Sequence, residues 1–347
     1  PSEVYAGMSL VFPLSENTPE PGKRLSLATG QTLLELAVLN NSDPYTIVID
    51  NGVDQPATIL AGQILRLNSR DGIIDPGPGA LPPAIAAVGL TDFTQGQTSV
   101  IRVDGLAGLT LSGTFMDHPL NFFALPEGGY IALQGVHAMA EPGTYPMTVQ
   151  GSLPDGTFFV FTQAIRVYAG DFLYDIPLYV PPETMDPAIT GPENELWASQ
   201  VVAATPEKLW EDAFSAPVDA AYADCWPSQF GSRRSYNGSE YIYFHTGLDF
   251  CGQVGYSIYA PAPGTVVYTG ELVVRGKATV IDHGWGIYTA YMHQSEILVS
   301  VGDHVETGQL IGLVGNTGRV NGPHLHFEVW AGGVQVNPLD WMTQAYP

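Results

Sequence analysis

The stretch that most constrains this chain is Asn316–Trp330, NTGRVNGPHLHFEVW, in which two histidines one residue apart follow a Gly-Pro turn. The residues after the turn are apolar and β-prone, which predicts a strand. Residues two apart on a strand project from the same face, so His324 and His326 can address one point. Six of the eight histidines of the chain lie between residues 245 and 326. Such clustering indicates a site.

A catalytic zinc site needs about three nitrogen or oxygen ligands and an open position. His245 and Asp249 lie four residues apart in HTGLD, and with His326 they form the economical ligand set for one Zn²⁺ per chain. His293, which ends a strand in Tyr-Met-His, and His324 then remain for proton transfer, because imidazoles titrate near about pH 6.5. These five residues together predict metal-assisted hydrolysis. The alternative is that they are core or solvated residues without a common function.

Short β-prone runs punctuated by glycine fill the chain from Cys225 onward and predict a second β domain that carries all of these groups. The predicted strands are 257–260, 264–269, 278–282, 287–293, 297–300, 309–314 and 324–330. His283 and His304 are interpreted as a strand-end turn residue and a solvated hairpin residue. Between about 84 and 172, runs at 98–103, 109–115, 129–134, 143–150 and 158–167 predict an immunoglobulin-like β-sandwich.

The segments HTGLDF, APAPGTVVYTG, IDHGWGIYTAYMHQ, VGDHVETGQLIGLVGNTG and GPHLHFEVW together resemble the lysostaphin-type zinc metalloendopeptidases. The resemblance covers about 225–347. It implies a twisted antiparallel β-sheet domain, the duplicated hybrid motif, with a groove above the sheet. It also implies His245, Asp249 and His326 as zinc ligands and His293 and His324 as catalytic histidines. The implied activity is hydrolysis of peptide cross-links in bacterial peptidoglycan, with a metal-activated water and the two histidines exchanging protons.

The segment Phe230–Gly238 is similar to the loop that precedes the metal histidine in that family. The resemblance suggests that Arg234, Tyr236 and Asn237 position substrate; the alternative is ordinary surface-loop structure. The long loop 231–244 and the two flanking cysteines depart from the family pattern, which leaves the preferred bond open.

Near the amino terminus, TGQTLLELA and ILAGQILRL predict strand, helix and strand within about 45 residues, and this pattern resembles a LysM module. LysM modules bind N-acetylglucosamine-containing glycans; the alternative is a structural cap without a ligand. The predicted organisation is a LysM-like module at 1–70, a Gly/Pro linker at 71–83, the sandwich at 84–172, a connecting region at 173–222 and the peptidase domain at 223–347. In the connecting region, 193–202 and 205–214 are predicted helices, with Thr205 as N-cap. The fold class is thus mostly β and multidomain.

Composition narrows the possible settings and partners. The net charge is −23, which argues against nucleic-acid binding because such a surface repels phosphate. The sequence contains no run of about 18 apolar residues, so no membrane span is predicted. The chain starts without an initiator Met or a charged-then-apolar leader, so we expect a mature or trimmed chain. The expected setting is extracytoplasmic, either secreted or associated with the cell envelope. Cys225 and Cys251 either form a disulfide, which fits an oxidising compartment, or remain as two thiols.

Three other functions share some of these sequence features. A biotinyl or lipoyl carrier domain shares the hairpin pattern, but the one lysine of this region, Lys277, lacks the expected neighbours. A non-catalytic cell-wall-binding regulator would usually lack metal ligands. A secreted zinc peptidase acting on protein substrates remains an alternative, as does an inhibitory role for the first 224 residues.

Overall fold

The computed structural model describes residues 23–28, 31–40, 44–51, 62, 64–67, 73–74 and 81–347. The rest of the predicted LysM-like module, and residues 71, 72 and 75–80 of the predicted linker, lie outside the described residues. The described chain is mostly β, as predicted. None of its helices is both long and apolar enough to cross a membrane.

The described residues form 23 strands and four α-helices, with a 3₁₀ turn at Pro182–Met185. The helices are α1 (Leu33–Leu39), α2 (Pro44–Asp50), α3 (Pro187–Gln200) and α4 (Pro338–Thr343). The strands up to Tyr168 are β1 (Lys23–Ser26), β2 (Ile64–Leu67), β3 (Ile73–Ile74), β4 (Ile85–Leu90), β5 (Phe93–Thr94), β6 (Thr98–Gly105), β7 (Thr110–Phe115), β8 (His118–Asn121), β9 (Phe123–Ala124), β10 (Tyr130–Gly135), β11 (Gly143–Ser152) and β12 (Phe158–Tyr168).

The later strands are β13 (Arg233–Arg234), β14 (Tyr243–Phe244), β15 (Leu248–Cys251), β16 (Ser257–Tyr259), β17 (Gly264–Leu272), β18 (Gly276–Asp282), β19 (Ile287–Ile297), β20 (His304–Val305), β21 (Leu310–Val314), β22 (His324–Ala331) and β23 (Val334–Val336). The chain divides into two compact units. The first is Pro1–Val88, Val103–Tyr130 and Tyr145–Ile165, and the second is Gly89–Arg102, Ile131–Thr144 and Arg166–Pro347.

The first unit begins with β1, α1, α2 and β2, and β1 pairs antiparallel with β2. A capping box starts α1: Glu35 N donates to Thr32 Oγ1, and Thr32 N donates to the Glu35 carboxylate. Apolar residues of α1, α2 and β2, together with Leu27 directly after β1, form one core: Leu27, Leu33, Leu36, Ala37, Ile47, Val48 and Leu65. The predicted strand and helix are present, but the sequence reading missed the second helix, α2. The five strands predicted between 98 and 167 all occur, with ends shifted by one or two residues.

The second unit contains a nine-stranded sheet in the order β15-β22-β19-β18-β17-β20, to which β16, β21 and β23 attach. Its strands pair antiparallel. One face of β22 carries His324, His326, Glu328 and Trp330, and the alternate residues lie on the other face. The predicted strand at 297–300 is wrong, because β19 continues to Ile297 and the residues after it form no strand.

Helix α3 packs on the face of this sheet that carries the histidines. Trp197 of α3 and Val201 directly after it are buried against apolar residues of β18, β19 and β22. These residues are Ala278, Val280, Tyr288, Ala290, Met292 and Trp330. The predicted helix at 193–202 is therefore present, but it begins earlier, at Pro187, with Asp186 as its N-cap. The connecting region thus supplies part of the core of the sheet.

The predicted helix at 205–214 is wrong. The Thr205 hydroxyl donates to Asp282 instead of capping a helix, and Leu209 N donates to the His283 carbonyl. The Trp210 ring contacts Trp285 and Trp341 edge-on. These hydrogen bonds and ring contacts hold the segment extended against the sheet, and they outweigh its local helix signals.

A disulfide joins Cys225 to Cys251, so the disulfide alternative is the one realised. It connects the segment before the site to the end of β15, two residues after Asp249. Cys251 N also donates to the Cys225 carbonyl.

Candidate metal centre and active site

Three side chains meet at one point above the sheet. His245 Nε2 lies 3.0 Å from Asp249 Oδ1, His326 Nδ1 lies 2.8 Å from the same oxygen, and the two nitrogens are 2.8 Å apart. The three residues are the group of the described chain that can hold a metal ion, and all are buried. In a tetrahedral zinc site with bonds of about 2.0–2.1 Å, the ligand atoms are roughly 3.3 Å apart. Small side-chain movements would therefore suffice to admit an ion.

Strand register creates this convergence. Asp249 on β15 stands directly opposite His326 on β22, so both side chains leave the sheet on the same side. His245 comes just before β15, where its backbone N donates to the Ser232 carbonyl. Gly247 lies between the two ligands of this segment. A Cβ there would clash with the Phe327 carbonyl and lie 2.9 Å from His326 Nε2, so only glycine allows this approach.

The outward ring nitrogens of both candidate ligand histidines, His245 and His326, form hydrogen bonds. His245 Nδ1 lies 3.0 Å from the Gln229 carbonyl, which can only accept, so Nδ1 carries the proton and Nε2 presents a lone pair. His326 Nε2 lies 3.3 Å from the Glu328 carboxylate and donates to it, which leaves Nδ1 to face the other ligands. Such outer partners fix the tautomer and orientation of metal-binding histidines.

Glu328 is a functional residue that the sequence reading missed. It is fully buried on the His326 face of β22, and it also accepts hydrogen bonds from the indole nitrogens of Trp197 and Trp330. Despite the cost of burial, His326 lowers the pKa of Glu328 to about 2, so the residue stays anionic. The i, i+2 spacing that paired His324 with His326 extends to Glu328 and is the signal that would have found it.

The electrostatics of the three ligands suit a cation. Burial opposes charge on His326, but hydrogen bonds to Asp249 and Glu328 prevail and raise its pKa to about 9. Burial lowers the pKa of His245 to about 4. Burial alone would raise the pKa of Asp249, yet His245 and His326 hold it well below the usual range. The buried carboxylates of Asp249 and Glu328 thus place negative charge where a divalent ion would be held.

Arg234 lies beside this centre. Its Nη2 is 3.7 Å from Asp249 Oδ2 and 2.9 Å from Ser228 Oγ, and its Nε donates to Asp175 at 3.0 Å. Arg234 is thus nearly buried between two carboxylates, one of them a ligand candidate. This places it next to the site, and its predicted role in positioning substrate stays a prediction.

His293 reaches the site because of a β-bulge. Residues 292 and 293 on β19 oppose a single residue, 278, on β18, and His293 adopts a φ of +63°. Bulges of this kind turn one side chain out of the regular alternation. His293 Nδ1 donates to the Thr317 carbonyl at 2.8 Å, so Nε2 is its free nitrogen.

His324 completes the pair. Its Nδ1 donates to the Gly322 carbonyl at 2.9 Å, and its Nε2 lies 3.6 Å from Asp249 Oδ1. The rings of His293 and His324 have centroids 4.9 Å apart, and His293 lies 6.0 Å from His326 by the same measure. All five predicted site residues of the peptidase motifs therefore lie together.

Two residues of helix α3, Trp197 and Glu193, bond to groups that support the site. Trp197 donates to Glu328, the outer partner of His326. The Glu193 carboxylate is buried and accepts from Val274 N, Arg275 N and Arg275 Nη1 at 2.9–3.0 Å. The Arg275 carbonyl in turn accepts from His293 N at 3.0 Å. The helix is therefore linked to both a ligand histidine and the bulged histidine.

The other two predicted substrate residues differ in placement. Tyr236 is buried, and its hydroxyl lies 3.3 Å from Arg234 Nη1. Asn237 points away: its amide accepts from Val180 N and donates to the Val180 carbonyl, at 2.9 and 3.0 Å. With a φ of +51°, Asn237 occupies a turn that holds the segment 172–180 beside the loop.

The histidines predicted to lie outside the site do so. His304 is exposed and contacts Thr265 Oγ1. His283 follows β18, as predicted, but it is fully buried between the Pro263 carbonyl and Thr289 Oγ1, and burial lowers its pKa to about 4.

Sequence comparisons agree with this geometry. Residues 243–338 match the family model "Peptidase family M23". The chain is 42% identical over 123 residues to the peptidoglycan DD-endopeptidase ShyA of Vibrio cholerae, a match that spans 35% of this chain and 28% of that protein. It is 40% identical over 95 residues to the DD-carboxypeptidase/endopeptidase Mpg of Neisseria meningitidis, spanning 27% and 22%. The matches thus cover between a fifth and a third of these relatives.

A crystal structure of a peptidase M23 from Pseudomonas aeruginosa superimposes with a TM-score of 0.54 at 23% identity, covering 73% of this chain and 96% of that one. At this identity the likeness concerns the fold. The matched segment 243–338 contains the three converging ligand residues and both additional histidines. Residues 243–338 of this chain are a Peptidase family M23 domain.

Proposed function

We propose that this protein is a zinc-dependent endopeptidase that hydrolyses peptide cross-links of bacterial peptidoglycan, with one Zn²⁺ per chain. The observation that carries the proposal is the placement of His293 and His324, each with an Nε2 that makes no hydrogen bond to any described residue, beside the three converging candidate ligand atoms. The names of the M23 relatives from Vibrio and Neisseria support the substrate class.

The donor set fits zinc. Two imidazole nitrogens and one carboxylate oxygen leave a fourth position open, which is typical of catalytic zinc sites. Bound there, zinc would supply Lewis acidity and would lower the pKa of a water toward about 7. His245, Asp249 and His326 would hold it, and Glu328 would orient His326.

Proton transfer falls to the chain's own imidazoles. The carbonyls of Thr317 and Gly322 hold the protons of His293 and His324 on Nδ1, so each ring exchanges protons at Nε2. Burial and the neighbouring histidines lower the pKa of His293 well below its ordinary value, so it is neutral at pH 7 and suits a proton acceptor. The proton that His293 accepts from water passes to His324, whose ring centroid lies 4.9 Å away, and His324 Nε2 donates it to the leaving amine.

The decisive experiment is digestion of purified peptidoglycan sacculi, followed by analysis of released peptides and new amino termini. Wild type should release peptides, a chelator should abolish release, and added zinc should restore it. His326→Ala should be inactive, and the matched control His304→Ala, which changes an exposed histidine outside the site, should retain activity. No new termini from several wall types, despite one bound zinc per chain, would overturn the cell-wall assignment and turn attention to protein substrates.

We also infer that the amino-terminal residues form a LysM-like module that binds N-acetylglucosamine-containing glycan. The order β1, α1, α2, β2 and the antiparallel β1–β2 pair support the module. The test is co-sedimentation of inactive His326→Ala protein with sacculi, with and without residues 1–70. Equal sedimentation would remove the glycan-binding role.

The setting that we propose is extracytoplasmic, secreted or associated with the cell envelope. Peptidoglycan as substrate and the Cys225–Cys251 disulfide both support it, because disulfides persist in oxidising compartments. The proposed domain limits remain 1–70, 71–83, 84–172, 173–222 and 223–347.

A further inference from the structure

Three arginines surround the candidate site, and they differ in their partners. Arg234 is paired with Asp175 and Asp249, and Arg275 is paired with Glu193. Arg319 is the third, and among the described residues it has no carboxylate within ion-pair distance. In a chain of net charge −23, an arginine beside an active site without a carboxylate partner needs an explanation.

The guanidinium of Arg319 is held in a defined orientation. Its Nη1 donates to the Thr184 carbonyl at 3.1 Å and contacts Met185 Sδ. Its Cζ lies over the Tyr236 ring, 4.7 Å from the ring centroid. Backbone N of Arg319 donates to the Val274 carbonyl at 2.8 Å. One N–H edge and one face are thus occupied, and the side chain is only half-buried.

Nε and Nη2, which form the other edge, make no hydrogen bond to any described residue. Buried side-chain atoms without a partner occur elsewhere in the described chain, but these two atoms are not among them. This edge is therefore accessible. Nε–H and Nη2–H are parallel donors that match the two oxygens of a carboxylate. Burial is the main influence that lowers the pKa of Arg319; Tyr236 opposes this shift, and the positive charge of Arg234 adds to it.

Arg319 belongs to the loop 315–323, which also hydrogen-bonds to His293. It lies two residues after Thr317, whose carbonyl accepts from His293 Nδ1. Tyr236 lies between Arg319 and Arg234, and Arg234 contacts the ligand Asp249. An extended peptide spans roughly 3.3–3.6 Å per residue. A substrate held at the metal centre can therefore place a carboxylate a few residues away against Arg319.

We propose that Arg319, oriented by Tyr236 and Thr184, forms a subsite that binds a free carboxylate of the substrate peptide. This inference rests on the proposed endopeptidase function and specifies its substrate class as acidic peptide stems. The bond is a bidentate, charge-assisted pair. Hydrogen bonds to charged groups contribute about 1.5–3 kcal/mol, which corresponds to roughly a 10- to 100-fold change in kcat/KM.

The test uses soluble cross-linked stem peptides in which each free carboxylate is replaced in turn by a carboxamide. Wild type should cleave one amidated peptide about 10- to 100-fold more slowly than the acidic parent. Arg319→Gln should cleave that amidated peptide at the wild-type rate and lose the preference for the acidic parent. Lys208→Gln, which removes one positive charge from outside the site, should keep the wild-type preference.

The outcomes separate this inference from the proposed function. Cleavage of all peptides by wild type at rates within twofold of each other overturns the subsite and leaves the endopeptidase intact. The same holds if Arg319→Gln retains the full preference. No cleavage of any peptide by zinc-loaded wild type overturns both. A merely structural role predicts a lower Tm and an equal loss on every peptide, which also overturns the subsite.

If Arg319→Gln fails to fold, Arg319→Lys replaces it. That variant keeps the charge but loses the fork and the guanidinium contact with Tyr236, so it should show a reduced preference. The wild-type comparison of acidic and amidated peptides needs no variant and remains decisive.

Discussion

The floor and the rim of the candidate site are held by different kinds of interaction. The floor consists of His245, Asp249, His326 and Glu328, which belong to or adjoin strands β15 and β22 and are buried. The rim consists of Arg234, Tyr236 and Asn237 from the segment 233–243, together with Arg319 from the loop 315–323. Rim side chains depend on distant segments, such as Asp175, Val180 and Thr184.

This difference indicates a division of work. Paired strands hold the floor residues opposite one another, as a metal ion with a fixed coordination geometry requires. Loops that lean on neighbouring segments can change shape with fewer consequences for the sheet, as residues that select a substrate require. Four variants test this division.

The largest effect is expected from the floor. His326→Ala removes one of three ligand atoms, so we expect loss of bound zinc and a fall of at least about 10³-fold in endopeptidase rate. Metal content by mass spectrometry and the rate on sacculi are the two measurements. A variant that keeps one zinc per chain at wild-type affinity would contradict the assignment of His326 as a ligand.

Next comes His293, which stands between floor and rim. His293→Asn should lower the rate by about 10²–10⁴-fold, because proton transfer by a positioned side chain contributes that much. Zinc content should stay at one per chain, since His293 is outside the ligand group. Combined loss of zinc and activity would instead mean that the bulge residue is a ligand.

Glu328→Gln tests how much the hydrogen bond from His326 to Glu328 contributes to metal binding. It replaces an anionic acceptor of the His326 Nε2 proton with a neutral amide, and outer partners of this kind are worth about 10- to 100-fold in metal affinity. Competition with a chelator measures that affinity. The matched control is Glu296→Gln on the exposed part of β19. Equal affinity in both variants would show that Glu328 supports packing alone.

The smallest effect on activity is expected at the rim, from Asn237→Ala. The change removes two hydrogen bonds to Val180 at a residue with positive φ, so we expect about 1–2 kcal/mol lower stability toward urea. The rate on sacculi should stay within about threefold of wild type, because the amide is engaged away from the centre. A tenfold fall in rate with unchanged stability would favour the substrate-positioning role.

The rules of local structure account for what could be predicted. The period of two along β22 placed His324 and His326 on one face, and the pattern in TGQTLLELA correctly indicated a helix, which the structure places at Leu33–Leu39. Helix signals at 205–214 failed because Thr205 bonds Asp282 and Trp210 packs against distant tryptophans, contacts that local propensity does not include.

By itself, the sequence determined most of the longer strands, the motif histidines and the identity of the three ligand candidates, because these follow from alternation and spacing along single segments. Only the tertiary structure decided how those segments meet. It set β15 against β22, introduced the bulge that turns His293 to the site, and brought Glu328 and α3 behind His326. It also left one edge of Arg319 open. Such features depend on strand register and on contacts between residues far apart in the chain. These contacts exist only once the strands have paired, so local sequence patterns do not predict them.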